Sequence, residues 1–229
     1  MDITFYGHAC FGLVAPNGDK LLFDTFISGN ELAKDINIDE IDADYILISH
    51  GHEDHVLDAE SIARRTGAKI ISSYEIVMWY ANTKGYENGH PMNIGGAFDF
   101  DFGRVHYVAA VHSSTLPDGA NGGPAGGFVI ELKDGQTFYY SGDTALTYDM
   151  KLLAEKFDLD FAMLCIGDNF TMGIEDGVRA AQFVDTKKVI GMHFDTFGWI
   201  EIDHGAARNA FTAQNIELIL PEIGETLTV

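Results

Sequence analysis

The sequence predicts an α/β chain in which two β-sheets pack together under outer layers of helix. Three observations carry that expectation. Short apolar runs of strand length stop at Gly, Asp, Asn or His; segments of helical length lie between them; and the second half of the chain repeats the plan of the first. No linker or low-complexity stretch separates the halves, so residues 1–229 read as one domain with two pseudo-repeated halves.

Ile3–Tyr6 is a first strand, ending at Gly7-His8. Phe11–Val14 and Lys20–Phe23 flank the turn Pro16-Asn17-Gly18-Asp19, where Asn-Gly between apolar runs marks a hairpin. The returning strand ends at Asp24, and a polar stretch leads to the strand Tyr45–Ile48. A helix over about Ala59–Thr66 carries Arg64 and Arg65 in its last turn and has Gly67 to end it. Lys69–Ser73 is a strand, Glu75–Lys84 a second helix, and Gly89–Gly96 a loop by its turn residues. Val105–Val111 is a strand ending at His112, followed by a Gly-rich run, Pro117–Gly127, that could border a site.

The pattern then returns. Asp134-Gly135 turns into the strand Thr137–Tyr140, which ends at Gly142-Asp143 as the earlier strand ended at Asp24. After a helix over Leu146–Phe157, Asp158–Leu164 echoes Asp42–Ile48 and ends at Gly167-Asp168-Asn169. A helix over Glu175–Val184, a strand Lys188–Met192 ending at His193, a helix over Gly205–Gln214, and strands Ile216–Leu220 and Thr226–Val229 complete the chain.

Composition excludes several classes of function. There are 35 acidic residues against 14 basic, a formal net charge of −21. Such a surface repels phosphate backbones and anionic membranes, so neither nucleic acid nor membrane is an expected partner. A well-solvated acidic surface is the simple explanation, and adaptation to high salt the sharper one. No apolar run reaches the roughly 18 residues of a spanning helix, and the N-terminus lacks a basic leader, so the expectation is a cytoplasmic protein. Cys10 and Cys165 read as isolated buried thiols rather than a disulfide framework. The expected partner is a small-molecule substrate, with homo-oligomer formation left open.

Chemistry concentrates in Ser49-His50-Gly51-His52-Glu53-Asp54-His55, directly after an apolar strand. Imidazoles and a carboxylate this close together suit a divalent cation, and zinc, iron and manganese all accept such N/O ligands. Asp24, His50, His112, Asp143 and His193 each follow the last apolar residues of an expected strand. If those strands lead to one edge, the side chains converge there, as ligands do at strand ends of open α/β sheets. His8 closes the first strand and reaches the same edge. His90, in a Gly-His-Pro loop, is a candidate for a lid. Phe170 and Met172 are expected to pack near the centre, while His106 and His204 read as structural.

These residues resemble the signature of the metallo-β-lactamase superfamily. Ser49 to His55, then His112, Gly142-Asp143 and His193, appear in its order and approximate spacing over nearly the whole chain. Shorter motifs, Gly7-His8-Ala9, Asn93-Ile94-Gly95-Gly96, Phe170-Thr171-Met172-Gly173 and Met192-His193, resemble a branch of metal-dependent hydrolases similar to ascorbate 6-phosphate lactonase. The resemblance implies a four-layer αββα sandwich and two divalent metal ions, Zn2+ first and Mn2+, Ni2+ or Fe2+ as alternatives. His50, His52 and His112 would hold one, Asp54, His55 and His193 the other, and Asp143 would bridge them. Asp24 is the candidate to accept a ring N–H from a ligating histidine. Asp54 and His8 are the catalytic candidates.

The activity implied is hydrolysis of a small ester, lactone or related substrate by metal-bound hydroxide. Two alternatives use the same scaffold. One is cleavage of a small phosphodiester, such as a cyclic nucleotide or phospholipid head group, the acidic surface weighing against a nuclease only; a lactonase of a phosphorylated sugar would call for basic groups at the cleft, and the sequence nominates none. The other is iron-dependent redox chemistry. Di-iron members of the superfamily typically carry Glu where His52 stands, which leaves a single-iron oxygenase as the form to test. Substrate selection is expected from the loops Asn88–Gly96 and Pro117–Gly127.

Overall fold

The computed structural model describes residues 1–229. Strands β1 (Asp2–Gly7), β2 (Cys10–Val14), β3 (Lys20–Phe23), β4 (Tyr45–Leu47), β5 (Lys69–Ser73) and β6 (Gly89–Met92) belong to the first sheet. The second holds β7 (Ala97–Asp99), β8 (Gly103–Ala109), β9 (Gly126–Leu132), β10 (Thr137–Tyr140), β11 (Phe161–Cys165), β12 (Lys188–Met192) and β13 (Glu217–Ile219). The last strand, β14 (Thr226–Thr228), returns to the first sheet. Both sheets have seven strands, in the orders β14-β1-β2-β3-β4-β5-β6 and β13-β12-β11-β10-β9-β8-β7.

The repeat seen in the sequence is a repeat of topology. In the first sheet, β1, β2 and β3 are antiparallel, and β3 to β6 then run parallel. In the second, β8, β9 and β10 are antiparallel, and β10 to β13 run parallel. An antiparallel strand flanks each set, β14 beside β1 and β7 beside β8. Asp24 and Asp143 therefore occupy equivalent places, just past the strand where antiparallel pairing gives way to parallel.

Strand alternation divides the apolar side chains between layers. Leu21 and Phe23 point into a core of 44 buried residues that draws on both sheets, where Phe23 meets Phe128, Phe138 and Tyr140. Leu22, between them, points the other way. It joins Ile46, Ile48 and Ile70 against Ala59, Ile62 and Ala63 of helix α2 (Ala59–Thr66) and Ile76 of α3 (Tyr74–Trp79). On the far side, α4 (Met150–Lys156), α5 (Ile174–Phe183) and α6 (His204–Thr212) cover the second sheet through residues such as Ala180, Ala181 and Phe211. The result is the expected αββα sandwich.

Several expected elements shift. Gly89–Met92 is the edge strand β6 rather than loop; Pro91, which lacks an N–H, is tolerated because β6 pairs on one side only. The helix from Tyr74 widens to a π-turn over Tyr80–Lys84 before Gly85 ends it in left-handed geometry. The helix expected from Leu146 begins at Met150, with Asp149 as N-terminal flank. Two strands, β7 and β9, were not expected. The motif is not all loop: Glu53–Val56 forms one helical turn, α1, with His52 at its N-cap.

Candidate metal centre

The edge at which β1, β3, β4, β8, β10 and β12 end collects all the sequence-predicted ligands. Three of the strand-end residues adopt left-handed backbone geometry: His8 at φ 56°, Asp24 at 37° and His193 at 57°. Such geometry is uncommon for residues with a Cβ and turns each side chain out of the pleat toward the shared edge. Gly142 (φ 57°) does the same service before Asp143. A Cβ there would lie 2.7 Å from both the Gly126 carbonyl and Ser49 Cβ, so close approach as well as backbone geometry requires glycine.

Asp143 lies at the centre. Its Oδ2 is 2.9 Å from His193 Nε2, 3.4 Å from His55 Nε2, 3.5 Å from His112 Nε2 and 3.9 Å from His50 Nε2. On one side, His50, His52 and His112 bring their ligand atoms within 4.8 Å of one another, and His50 Nε2 faces His52 Nδ1 at 3.1 Å. On the other, His8, Asp54, His55 and His193 do the same, with Asp54 Oδ2 3.8 Å from both His55 Nε2 and His193 Nε2.

A second layer fixes these rings. Asp24 is fully buried. Its Oδ2 accepts from His55 Nδ1 at 2.8 Å, from Tyr140 Oη at 2.8 Å and from Ser49 Oγ at 2.5 Å, while Oδ1 accepts from the Ser49 N–H at 2.8 Å. Ser49 Oγ also lies 2.9 Å from His50 Nδ1. One carboxylate thus orients His55 directly and His50 through a hydroxyl, leaving the Nε2 of each turned to Asp143. His52 is held by Ser113, with Oγ 3.1 Å from Nε2. His8 sits behind Asp54, its Nε2 3.0 Å from Asp54 Oδ2 and its Nδ1 2.9 Å from Thr196 Oγ1. Its ring packs on His193 with centroids 4.1 Å apart.

Electrostatics show what the centre demands. Burial, with His55 nearby, lowers the basicity of His50, and burial does the same at His52 and His112; neutral imidazole is the metal-binding form. Burial also pushes His8 down to about 4. Burial opposes charge on His193 too, but Asp143 outweighs it and raises that ring to about 9. His55 is likewise raised by Asp143, Asp54 and Asp24 against the cost of burial. Burial alone would raise Asp143 and Asp54, yet the facing histidines hold both below the usual carboxylate range. The buried Asp143 and the half-buried Asp54 therefore call for positive charge between them. A bound metal ion would supply it and would release protons from His55 and His193. The donor set fits that account: His55 Nε2, Asp143 Oδ1 and both His193 ring nitrogens are buried without a hydrogen-bond partner.

The cleft over this centre is lined by His52, Asp54, His112, Ser113, Asp143 and His193, with Phe170, Phe197 and Trp199. Phe170 therefore lies where expected, and Met172, two residues on, is buried. Neither Asn88–Gly96 nor Pro117–Gly127 lines the cleft. Gly122 instead packs behind the motif, 3.5 Å from the Gly51 Cα for a Cβ built on it, and His90 stacks on Phe98 by a separate cavity. His106 pairs with Glu131 and His204 with Asp195, away from the cleft. Ser49, Tyr140, Ser113 and Thr196 were not nominated from the sequence. Ser49 and Ser113 each adjoin a ligand, a signal available in the sequence. Tyr140 and Thr196 had none beyond being near strand ends.

Comparison with known proteins agrees with this geometry. Residues 20–194 match the model of the beta-lactamase superfamily domain. The chain is 52% identical over 229 residues to a UPF0173 metal-dependent hydrolase of Christiangramia forsetii, covering 99% of both chains, and 50% identical to one of Methylacidiphilum infernorum with the same coverage. Among solved structures it is similar to Igni18, a metallo hydrolase of Ignicoccus hospitalis, with 31% identity, a TM-score of 0.87 and coverage of 99% and 97% of the two chains. With the ligand edge, the sandwich and these relatives in agreement, the chain belongs to the metallo-β-lactamase superfamily, among its metal-dependent hydrolases.

Proposed function

We propose that this metal-dependent hydrolase works with two divalent cations, Zn2+ foremost, on a small ester, lactone or related substrate. The observation that carries the proposal is the position of Asp143 Oδ2, within 4 Å of histidine nitrogens from both clusters. His50, His52 and His112 would hold one cation, Asp54, His55 and His193 the second, with Asp143 shared. When bound, such a pair supplies a water of lowered pKa and polarises the oxygen of the bond to be cleaved.

The protein's own contribution is orientation. Asp24 accepts the hydrogen bond of His55 Nδ1–H and, through Ser49, aligns His50, so each Nε2 presents its lone pair to the centre. His8 is buried and absent from the cleft wall. It acts through Asp54, which it fixes with one ring nitrogen while Thr196 engages the other. Asp54 reaches the cleft and is the carboxylate available to a proton moving from the attacking water.

The test is metal analysis of reconstituted protein together with turnover of a panel of esters, lactones and phosphodiesters. Two metals per chain and ester or lactone cleavage, lost in both His50→Ala and Asp143→Ala, are expected. A single iron with oxygen uptake, or activity surviving in both variants, overturns the proposal. The cleft wall contains no Lys or Arg, which supports esters or lactones over a phosphodiester.

A further inference from the structure

The metal-binding side chains account for most of the cleft, but three of its lining residues have no part in holding them. Phe170, Phe197 and Trp199 stand at the cleft with 53%, 36% and 76% of their surface exposed. Folding hides large aromatic groups where it can, and three together around one cavity mark a binding surface. They come from two loops of the second half, Phe170 from the segment after β11 and the other two from the segment between β12 and α6. Phe197 is braced by the rings of His8 and Phe26 at 5.4 and 6.1 Å. Trp199 and Phe170 have no aromatic neighbour of their own in the fold and are free to pack on a ligand.

The remaining polar group of the wall is already engaged. Ser113 Oγ bonds His52. No lysine or arginine reaches the cleft, so nothing there would pair with a phosphate or carboxylate beyond the centre itself. The cavity, about 490 Å³, is large enough for a ring beside the reacting bond.

We infer that the substrate carries an uncharged aromatic group next to the bond that is cleaved, and that Trp199 and Phe170 clasp it. This rests on the metal-dependent hydrolase reading above and names the substrate class for that site. Flat side chains of this kind bury a ring at small entropic cost and favour offset or edge-on stacking.

Two chelators separate the contribution of the ring from that of the metals. Acetohydroxamate and phenylacetohydroxamate share one metal-binding head and differ by a phenyl group. Calorimetric titration of the zinc-reconstituted protein should show phenylacetohydroxamate binding at least about tenfold more tightly. In the Phe170→Ala/Trp199→Ala variant that ratio should fall to near one, with the affinity for acetohydroxamate unchanged. Trp199→Ala alone, at the most exposed of the three, serves if the double variant loses metal, and should lower the ratio in part. Equal affinities in the wild type, or a ratio that survives in the variant, overturn the inference and leave the hydrolase proposal intact. Failure of both hydroxamates to bind overturns both.

Discussion

His55 Nδ1 lies 2.8 Å from Asp24 Oδ2, and neither side chain touches solvent. That carboxylate oxygen accepts from Tyr140 and Ser49 as well, so the ring of His55 is held in one tautomer and one plane. Asp24→Asn keeps the shape but places an amide where three donors converge. Metal affinity should fall about 10–100-fold and stability by about 1–3 kcal/mol. Competition with a chromogenic chelator and thermal melting of the metal-free protein measure the two effects separately.

Asp143→Asn should be more severe. The substitution removes the negative charge that four histidines face. Metal content is expected to drop below two per chain and activity by more than about a hundredfold, beyond the usual cost of an outer-shell change. Elemental analysis and steady-state kinetics on one preparation check this.

Gly142→Ala tests the backbone rather than the ligands. The added methyl would meet Ser49 and the Gly126 carbonyl from a left-handed residue. A loss of about 2–4 kcal/mol is expected from overpacking and backbone strain together, visible as a lower denaturant midpoint. Because Ser49 must move, metal affinity should fall with it.

Neither thiol should react in the folded protein. Cys10 and Cys165 are fully buried. Burial, reinforced by Asp143, pushes the Cys165 thiol up to about 11, and burial raises Cys10 as well. A thiolate-detecting disulfide reagent should titrate no groups at pH 8 and two after denaturation; rapid reaction of the native protein would contradict the packing.

The charge of −21 gives a prediction about salt. Screening shortens the range of self-repulsion, so raising salt from low to molar concentrations should stabilise the protein. A gain of about 1–2 kcal/mol corresponds to a rise in Tm of roughly 2–8 °C for a chain of this size. A flat response would show that the acidic surface costs the fold little.

Much of this was legible in the sequence, and the exceptions have physical causes. Lys20–Phe23, Thr137–Tyr140 and Lys188–Met192 are strands with the bounds expected, because turn residues bracket short apolar runs. Strand β6 was concealed by Gly89 and Pro91, acceptable only at a sheet edge, a property of topology. Strand β9 was masked by the glycines that precede Phe128. For the centre, the convergence of these side chains could be anticipated from strand ends, but which nitrogen faces inward could not. That depends on Asp24 and Ser49 meeting the far ring edges and on left-handed turns at His8, Asp24 and His193. The aromatic wall was hidden for a similar reason: Phe170 and Trp199 are 29 positions apart and come to line one cleft only through the fold.

The matched topology of the two sheets bears on how the molecule divides. A cut between β6 and β7 leaves Asp24 and the His50–His55 motif on one fragment and His112, Asp143 and His193 on the other. Neither piece carries all the residues of either proposed cation site, and β14, on the second piece, belongs to the sheet of the first. Neither fragment alone is expected to bind metal, since the core of 44 buried residues and the proposed ligands are both shared between the two sheets.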